Sequence, residues 1–210
     1  MPAVPALYDN PRSSNALKVR FLLAELGLEY ERREVSLAHP RPAEYLAVNP
    51  LGGIPCLVDG DLVLAESNAI LRHLARREAR EDLYPSEAVG AARVDQWLDR
   101  VALSLRPALR RVEDPALGFV PGQGFGAAPP DWELAARRAE EIAGTLAIFD
   151  GLVDPSGHAL ERFTIADCAA VPVLWRTLRT RLDLAPYPGL LRWRETLTAR
   201  PAFAAAGPVG

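Results

Sequence analysis

The amino-acid sequence predicts a molecule in two parts, an α/β unit over residues 1–82 and an all-α unit over residues 87–210. In the first part, short apolar runs alternate with stretches that have helical spacing. In the second part no convincing pair of strands appears, and the apolar stretches are long enough for helices. Leu83 to Ser86 separates the two patterns, and we therefore interpret it as the linker.

The first part opens with a strand, a helix and a second strand. Val4 to Tyr8 is an apolar strand candidate, and Tyr30 to Leu37 alternates in a way that is compatible with a strand. An amphipathic helix closed by Gly27 lies between them. Its apolar face is made of Val19, Leu22, Leu23 and Leu26. Because a helical crossover joins parallel strands, these elements predict a parallel βαβ unit.

A hairpin and a further helix complete the first part. The apolar runs Pro55 to Val58 and Leu62 to Ala65 flank Asp59-Gly60, a pair that accepts the positive φ values of a tight turn. Helical spacing begins just after Ser67, whose hydroxyl is suited to cap the helix. Residues 4–79 therefore predict βαβ followed by ββα, which is a thioredoxin-like α/β unit.

The second part is predicted to be helical throughout. Ala88 to Val112 has apolar residues at helical spacing, and Pro107 is expected to kink or end this helix. The segment 114–130 holds four glycines and four prolines, so it is an ordered lid or a flexible loop. Trp132 to Leu152 is helical again. Thr164 to Asp167 resembles a capping box ahead of an apolar helix.

Composition and charge narrow the classes of function. Hydrophobic residues make up 49% of the 210 residues, which is enough for a sizeable core. The net charge of -3, with acids interspersed among the arginines, argues against a nucleic-acid binder. Cys56 and Cys168 lie among apolar neighbours and belong to no CxxC pair, so we expect buried thiols and neither a disulfide scaffold nor a usual zinc site. With no leader pattern and no run long enough to span a membrane, we expect a cytoplasmic protein.

One corner of the first part has the features of a peptide-binding edge. Pro55 cannot donate to a strand ladder, which leaves the backbone of Ile54 free to pair with a peptide. Glu66 and Ser67 stand at a predicted helix start, where a hydroxyl and free N–H groups attract an anion. These features together predict a docking edge for a small zwitterionic peptide, although a plain hairpin and a capped helix would give the same pattern.

The order Ile-Pro, hairpin, Glu-Ser and helix resembles the glutathione-binding half of the soluble glutathione transferases. NPLGGIP at 49–55 and FTIAD at 163–167 extend the resemblance over nearly the whole chain. The resemblance implies glutathione as co-substrate, a small hydrophobic electrophile as second substrate, no bound metal and a homodimer. By position, it implies a cis bond before Pro55, with the backbone of Ile54 against the cysteinyl part of glutathione. Glu66 and Ser67 would then hold the γ-glutamyl end.

Residues around this edge have roles that the sequence leaves open. His39 lies in the preceding loop, and it either approaches glutathione or belongs to a plain surface loop. Gly53 stands where many members of the family have a lysine or a glutamine, so only its backbone is available. The electrophile is expected between the two parts, where Trp97, Arg106 and Arg110 are equally plausible as pocket wall or as core and solvated face.

Conjugation requires the thiol of glutathione to ionise near neutral pH, and a free thiol has a pKa of about 8.5. A hydroxyl at a helix N-terminus lowers this pKa, because it donates to the thiolate beside the positive end of the helix dipole. In serine-type members of the family, a serine at the turn before the first helix has this role. By position Ser13 is the better match and Ser14 the second, while a plain N-cap role for Ser13 stays open.

Two other functions compete with conjugation. LYDNPRSSNALKVR is also similar to the zeta class, which has Ser-Ser-Cys where this chain has Ser13-Ser14-Asn15. The missing cysteine weakens the case for a glutathione-dependent isomerase of the zeta type. A non-catalytic module that uses this fold for protein association is the second alternative, and the presence of Ser13 and Glu66-Ser67 argues against it. We therefore predict a glutathione transferase.

Overall fold

Four short strands of the first part form one mixed sheet with the order β2-β1-β3-β4. A computed structural model describes residues 4–208 of the chain. Strand β1, Ala6–Asp9, pairs in parallel with β2, Glu31–Glu34, and antiparallel with β3, Cys56–Asp59. Strand β4, Leu62–Ala65, pairs antiparallel with β3 at the far edge. The predicted parallel βαβ unit and the hairpin are therefore confirmed.

Three helices accompany the sheet. They are α1, Ser14–Leu26, α2, Ala43–Val48, and α3, Ser67–Arg77. The sequence allows Ser13, Ser14 or Asn15 to cap α1, and the structure selects Ser13, whose side chain accepts the backbone N–H of Ala16 at 3.2 Å. It ends at Gly27, which has a φ of 64° and therefore takes the left-handed conformation that a C-terminal glycine accepts without strain.

Two details of the predicted strands are wrong. The strand expected over Tyr30 to Leu37 is only four residues long, and all four of its residues are exposed because it forms the outer edge of the sheet. The tight turn lies one residue further along than predicted. Asp59 pairs with Leu62, so Gly60 and Asp61 form the turn, and Gly60 has a φ of 60°.

The second part consists of helices. Among residues 88–208, the structure contains no strand, only an isolated β-bridge between Val120 and Gly124. The helices are α4, Ala88–Arg100, α5, Arg106–Ala116, α6, Trp132–Leu152, α7, Ile165–Arg176, α8, Pro188–Thr198, and α9, Pro201–Ala205. The predicted sequence of an α/β part and an all-α part is therefore confirmed. The limits 1–82 and 87–210 stay predictions, and residues 1–3 and 209–210 lie outside the described part.

The helix expected over Ala88 to Val112 is interrupted. A π-helical stretch, Val101–Leu105, separates α4 from α5, and Pro107 occupies the first turn of α5. Leu105 and Arg106 keep helical backbone angles, so the helical path is continuous. The wider π-helical turn before Pro107 accommodates a proline that would clash inside a regular α-helix. Helix α5 then continues to Ala116, so the irregular segment begins at residue 117 rather than at 114.

One apolar core extends through both parts of the chain. Leu7 of β1 and Phe21 of α1 belong to the same buried cluster as Trp97 of α4 and Trp193 of α8. Trp97 is 3% exposed and its ring meets that of Trp193 edge-on, with 5.4 Å between the centroids. Trp97 is therefore a core residue rather than a pocket wall.

Among residues 4–208, none of the helices combines the length and the apolarity that crossing a bilayer requires.

The predicted capping box of α7 is confirmed, and it reaches beyond its own helix. Asp167 accepts the backbone N–H of Thr164 at 2.8 Å, and the side chain of Thr164 accepts that of Ala166. The other carboxylate oxygen of Asp167 accepts the indole N–H of Trp193 at 2.7 Å and the backbone N–H of Ala159 at 2.8 Å. Asp167 is fully buried. Its hydrogen bonds connect the start of α7, the segment before it at Ala159, and α8 at Trp193.

Candidate active site

The start of α1 places two serines where the two parts of the chain meet. The hydroxyl of Ser13 lies 3.4 Å from the carbonyl oxygen of Ile54, to which it donates. Ser14 is buried, and its hydroxyl oxygen accepts an N–H from Arg106 of α5 at 2.9 Å. The two serines therefore have different neighbours, because Ser13 borders the entry to β3 and Ser14 is bonded to the helical part.

The peptide bond between Ile54 and Pro55 is cis. Pairing between β1 and β3 begins at Cys56, so Ile54 lies before the strand ladder. The preceding carbonyl, that of Gly53, accepts the side-chain N–H of Asn49 at 2.8 Å and the hydroxyl of Tyr45. These bonds turn the carbonyl of Gly53 toward α2, which limits what its backbone can offer to a ligand.

The acid-hydroxyl pair at the start of α3 differs in one respect from the prediction. Glu66 holds the N-cap position, with a φ of 67° and no capping bond from its side chain, and Ser67 is the first helical residue. The prediction that Ser67 caps the helix is therefore wrong. The reason is the left-handed backbone of Glu66, which turns the chain into the helix one residue earlier. Glu66 is exposed, whereas Ser67 is buried.

A buried lysine connects this pair to α1. Lys18 is 2% exposed, and its Nζ lies 3.5 Å from the hydroxyl oxygen of Ser67. Lys18 follows Ser13 by five residues, about 8 Å along a helix axis. The structure thus brings the Ser13 end and the Ser67 end of the predicted edge within the reach of one tripeptide. Burial, with a smaller contribution from the charge of Arg106, lowers the pKa of Lys18 from 10.5 to about 7, against the attraction of Glu66.

A cavity of about 220 Å³ opens beside the two serines. The first part contributes residues of α1 and its turn, together with Leu37, His39 and Arg41. The second part contributes Arg106, Arg110, Arg176 and residues of the segment 119–125, among them Phe119 and Phe125. Of the predicted site residues, Ser13, Ser14 and His39 line this cavity, whereas Ile54, Pro55, Glu66, Ser67 and Gly53 are outside its lining.

The irregular segment between α5 and α6 covers one side of the cavity. The rings of Phe119 and Phe125 lie 5.1 Å apart, and the guanidinium of Arg110 lies 4.5 Å and 4.8 Å from their centroids. Arg12 donates to the carbonyl oxygen of Phe125 at 2.9 Å, which ties the segment to the turn before α1. The sequence left an ordered lid and a flexible loop open, and the structure folds this segment against the cavity.

Sequence reasoning missed two residues of this region. Lys18 lies inside the continuous buried stretch of α1, but that burial is visible only in the structure, and the sequence carried no signal for it. Arg41, which lines the cavity and donates to the carbonyl oxygen of Gly52 at 3.1 Å, lies between two prolines in a loop and had no signal either.

Comparisons with known proteins agree with this architecture. The family model of the glutathione S-transferase N-terminal domain matches residues 3–76, and that of the C-terminal domain matches residues 124–201. Glutathione S-transferase 3 of Zea mays is 36% identical to this chain over 211 residues, which cover 94% of this chain and 90% of the relative. This chain belongs to the glutathione S-transferase family.

Two further members of the glutathione S-transferase family support the assignment. Glutathione S-transferase GstB of Escherichia coli strain K12 is 32% identical, over 93% of this chain and 94% of its own. The crystal structure of a theta class glutathione S-transferase from Xanthomonas axonopodis pv. citri, with glutathione bound, is 26% identical and has a TM-score of 0.83. It covers 100% of this chain and 99% of its own. The protein is a glutathione transferase, and the isomerase and the non-catalytic alternative are not favoured.

The thiols of this glutathione transferase are structural. Cys56 and Cys168 are both buried, and burial raises the pKa of each thiol above its ordinary value. A nucleophilic cysteine has the opposite features, namely exposure and a lowered pKa. Within residues 4–208, no three side chains of His, Cys, Asp or Glu are grouped so that they could hold a metal ion.

Proposed function

We propose that this glutathione transferase holds glutathione along Ile54, Pro55, Glu66 and Ser67 and joins its sulfur to a small, largely apolar electrophile. The proposal depends on one observation, the 3.4 Å between the hydroxyl of Ser13 and the carbonyl of Ile54. Ile54 precedes the strand ladder, so its backbone can pair with the cysteinyl part of a peptide. A sulfur placed there would lie next to the hydroxyl of Ser13.

Ser13 would supply the thiolate with a hydrogen bond. Its oxygen already accepts the N–H of Ala16, and its single proton donates to Ile54 over a long distance, so the proton can turn toward a sulfur. The N-terminus of α1 adds its positive dipole end. Each unit by which the pKa of the thiol falls requires about 1.4 kcal/mol of preferential interaction with the anion. The thiolate then attacks an electrophilic carbon, where a C–S bond forms by substitution or by addition.

The remaining predicted ligand residues have supporting roles in this proposal. His39 is exposed at the cavity, where its imidazole is available to glutathione. Gly53 has no side chain to contribute, and its carbonyl is already engaged by Asn49 and Tyr45. Gly53 would therefore act by holding the entry to β3 rather than by binding glutathione directly.

The pKa of enzyme-bound glutathione tests the role of Ser13. Thiolate absorbance, followed against pH, gives this pKa for the wild type and for Ser13→Ala and Ser14→Ala. We expect Ser13→Ala to raise the pKa by about one unit or more, since a hydrogen bond to a charged group contributes about 1.5–3 kcal/mol. Ser14→Ala should change it less. Ser86→Ala, an exposed serine of the linker, is the matched control.

Two outcomes would contradict the proposal. Equal and negligible effects of Ser13→Ala and Ser14→Ala would remove the proposed thiolate donor. Calorimetric titration that detects no binding at millimolar glutathione would argue for a protein-association role. Product analysis separates conjugation from isomerisation, because a conjugate retains the sulfur of glutathione and an isomer does not.

The assembly and the location of the enzyme belong to the same proposal. We infer a homodimer in the cytoplasm, as is usual for the family that the sequence resembles. Large apolar side chains at the surface of the first part support the dimer, because an interface would cover them. Leu51 is 88% exposed and Val63 is 49% exposed.

A further inference from the structure

The cavity beside Ser13 is lined by positive charge without acidic residues. Within the described residues, its walls contain five arginines and His39, and neither an aspartate nor a glutamate. The arginines are Arg12, Arg41, Arg106, Arg110 and Arg176. A cavity with this lining attracts anions, and the effect is greater than at an open surface because the walls exclude water.

Two of these arginines form ion pairs with carboxylates that are outside the lining of the cavity. Arg176 forms a buried ion pair with Glu113 at 2.6 Å. Arg110 lies 2.7 Å from a carboxylate oxygen of Asp114, one turn further along α5. Both ion pairs lie within the helical part of the chain. The same two guanidinium groups pack against the rings of the segment 119–125, Arg110 against Phe119 and Phe125 and Arg176 against Phe125, so we assign them a structural role.

Arg106 has no such partner. In the part of the chain that the structure describes, no carboxylate lies within ion-pair distance of its guanidinium, and its side chain donates to the neutral hydroxyl of Ser14 at 2.9 Å. The group is partly buried, and this burial lowers the pKa of Arg106, against the attraction of Glu113. The guanidinium of an arginine nevertheless stays charged at pH 7. Because this charge is partly buried and has no counter-ion in the described part of the protein, binding of an anionic ligand beside it is favourable.

The position of Arg106 favours the second substrate over glutathione. Of the proposed contacts of glutathione, Ile54, Glu66 and Ser67 are outside the lining of this cavity, and Ser13 and His39 line the side that the first part of the chain contributes. Arg106 belongs instead to the helical wall, which also presents the rings of Phe119 and Phe125. A flat apolar body can pack against these rings, while a guanidinium pairs with a carboxylate through two parallel N–H groups.

We propose that the second substrate is an anionic electrophile, with a carboxylate that pairs with Arg106 and a flat apolar body that lies against Phe119 and Phe125. This inference rests on the proposed function, since it names the substrate class of the same site. With an aryl halide, the thiolate forms a C–S bond to the ring carbon and the carbon–halogen bond breaks. The halide leaves with its electron pair, so the reaction needs no oxidant or reductant.

A matched pair of electrophiles tests the proposal. para-Chloro-meta-nitrobenzoate carries the carboxylate, and para-chloro-meta-nitrobenzamide is its neutral counterpart of similar shape. Each kcat/KM is divided by the rate of the uncatalysed reaction with glutathione, which removes the difference in ring reactivity. We expect the wild type to favour the carboxylate by about tenfold, the value of one charge-assisted hydrogen-bonded pair.

Variants assign the preference to Arg106. Arg106→Gln should lower kcat/KM for the carboxylate by about tenfold and leave the amide within about twofold, whereas Arg106→Lys should retain part of the preference. Arg93→Gln, an exposed arginine of α4 away from the cavity, controls for the change in net charge. The dissociation constant of glutathione, measured by calorimetry, should be the same in the wild type and in Arg106→Gln.

Binding of the two S-aryl glutathione products, measured by calorimetry, gives a readout that does not require turnover. The product with the carboxylate should bind more tightly, and Arg106→Gln should abolish the difference. Equal binding of both products, or a loss of glutathione affinity in Arg106→Gln, would overturn the inference. If glutathione itself does not bind, the proposed function fails. If it binds and the amide is conjugated as well as the carboxylate, only the substrate class fails.

Discussion

The ammonium nitrogen of Lys18 lies 3.5 Å from the hydroxyl oxygen of Ser67, in the interior between α1 and α3. Both side chains are buried, and exposed Glu66 is the acid whose charge favours the protonated lysine. Because burial outweighs this attraction, the pKa of Lys18 falls to about 7. The side chain beside Ser67, at the proposed γ-glutamyl end of the site, is therefore Lys18, whose charge changes near neutral pH.

The free energy of unfolding should depend on pH because of the lowered pKa of Lys18. Below about pH 7, Lys18 is protonated in both the folded and the unfolded state, and the cost of burying its charge is fully present. Between about 7 and 10.5 the folded protein loses this proton first, so the unfolded state binds more protons and stability rises with pH. Relative to Lys18→Met, which does not titrate, the wild type should gain roughly 2 kcal/mol from about pH 6.5 to pH 9.

Urea unfolding at several pH values measures this difference directly. Other titrating groups cancel, because they are common to the wild type and to Lys18→Met. Lys18→Arg is a useful companion, since its guanidinium stays charged throughout this range and should show no such gain. A difference between wild type and Lys18→Met that does not change with pH would mean that Lys18 keeps an ordinary pKa.

Asp167 should contribute more to stability than an ordinary helix cap. Asp167→Ala would leave the N–H groups of Trp193, Ala159 and Thr164 buried without an acceptor, and we expect a loss of about 3–5 kcal/mol. Asp131→Ala is the matched control, because Asp131 caps the exposed start of α6 with one bond to Leu134. That change should cost about 1 kcal/mol. Urea unfolding of both variants compares them, and equal losses would contradict the proposed role of Asp167.

Features that depend on neighbouring residues were predictable from the sequence. The Gly27 stop of α1 and the capping box at Thr164 and Asp167 each involve residues only a few positions apart. The cap of α1 was narrowed to Ser13, Ser14 or Asn15, and the structure selects Ser13. The length of α4 was less predictable, because the π-helical stretch at Val101–Leu105 accommodates Pro107 without an end to the helical path. The helix propensity of the sequence does not tell whether a proline ends the helix or is accommodated by a π-helical stretch.

Contacts across the fold were not predictable in the same way. Lys18 meets Ser67 over 49 positions, and Arg106 meets Ser14 over 92 positions. Which face of α1 is buried, and how α5 is placed against it, decide these contacts, and neither follows from the local pattern. The sequence therefore predicted the fold and the family, and the proposed site residues stay predictions, while the charge of the cavity came from the packing of the two parts.

Binding of glutathione and activation of its thiol should be separable. We expect Glu66→Gln and Ser67→Ala each to weaken glutathione binding about tenfold, since each would remove one contact to the γ-glutamyl end. Neither should shift the pKa of the bound thiol, because the sulfur is proposed to lie at Ser13. Calorimetry gives the affinity and thiolate absorbance gives the pKa, with Glu140→Gln as an exposed control. A shift in the pKa of the thiol with unchanged affinity would reverse the proposed assignment of the two ends.

A single exposed leucine offers a test of the proposed dimer. Leu51 is 88% exposed in the turn between α2 and β3, and burying such a side chain contributes about 1.5–3 kcal/mol. In a symmetric dimer one substitution alters both subunits, so its effect is counted twice. Leu51→Asp should therefore raise the dimer dissociation constant at least about a hundredfold. Sedimentation velocity over a range of protein concentrations measures this constant.

Ile148 provides the matched control for Leu51. It is 66% exposed on α6, in the helical part, so Ile148→Asp introduces the same charge at a similarly exposed apolar position. We expect Ile148→Asp to leave the dimer dissociation constant unchanged, because the proposed interface is built around Leu51 and Val63 of the first part. If Leu51→Asp and Ile148→Asp sediment alike, or if the wild type is a monomer at micromolar concentration, Leu51 is not covered by a second copy.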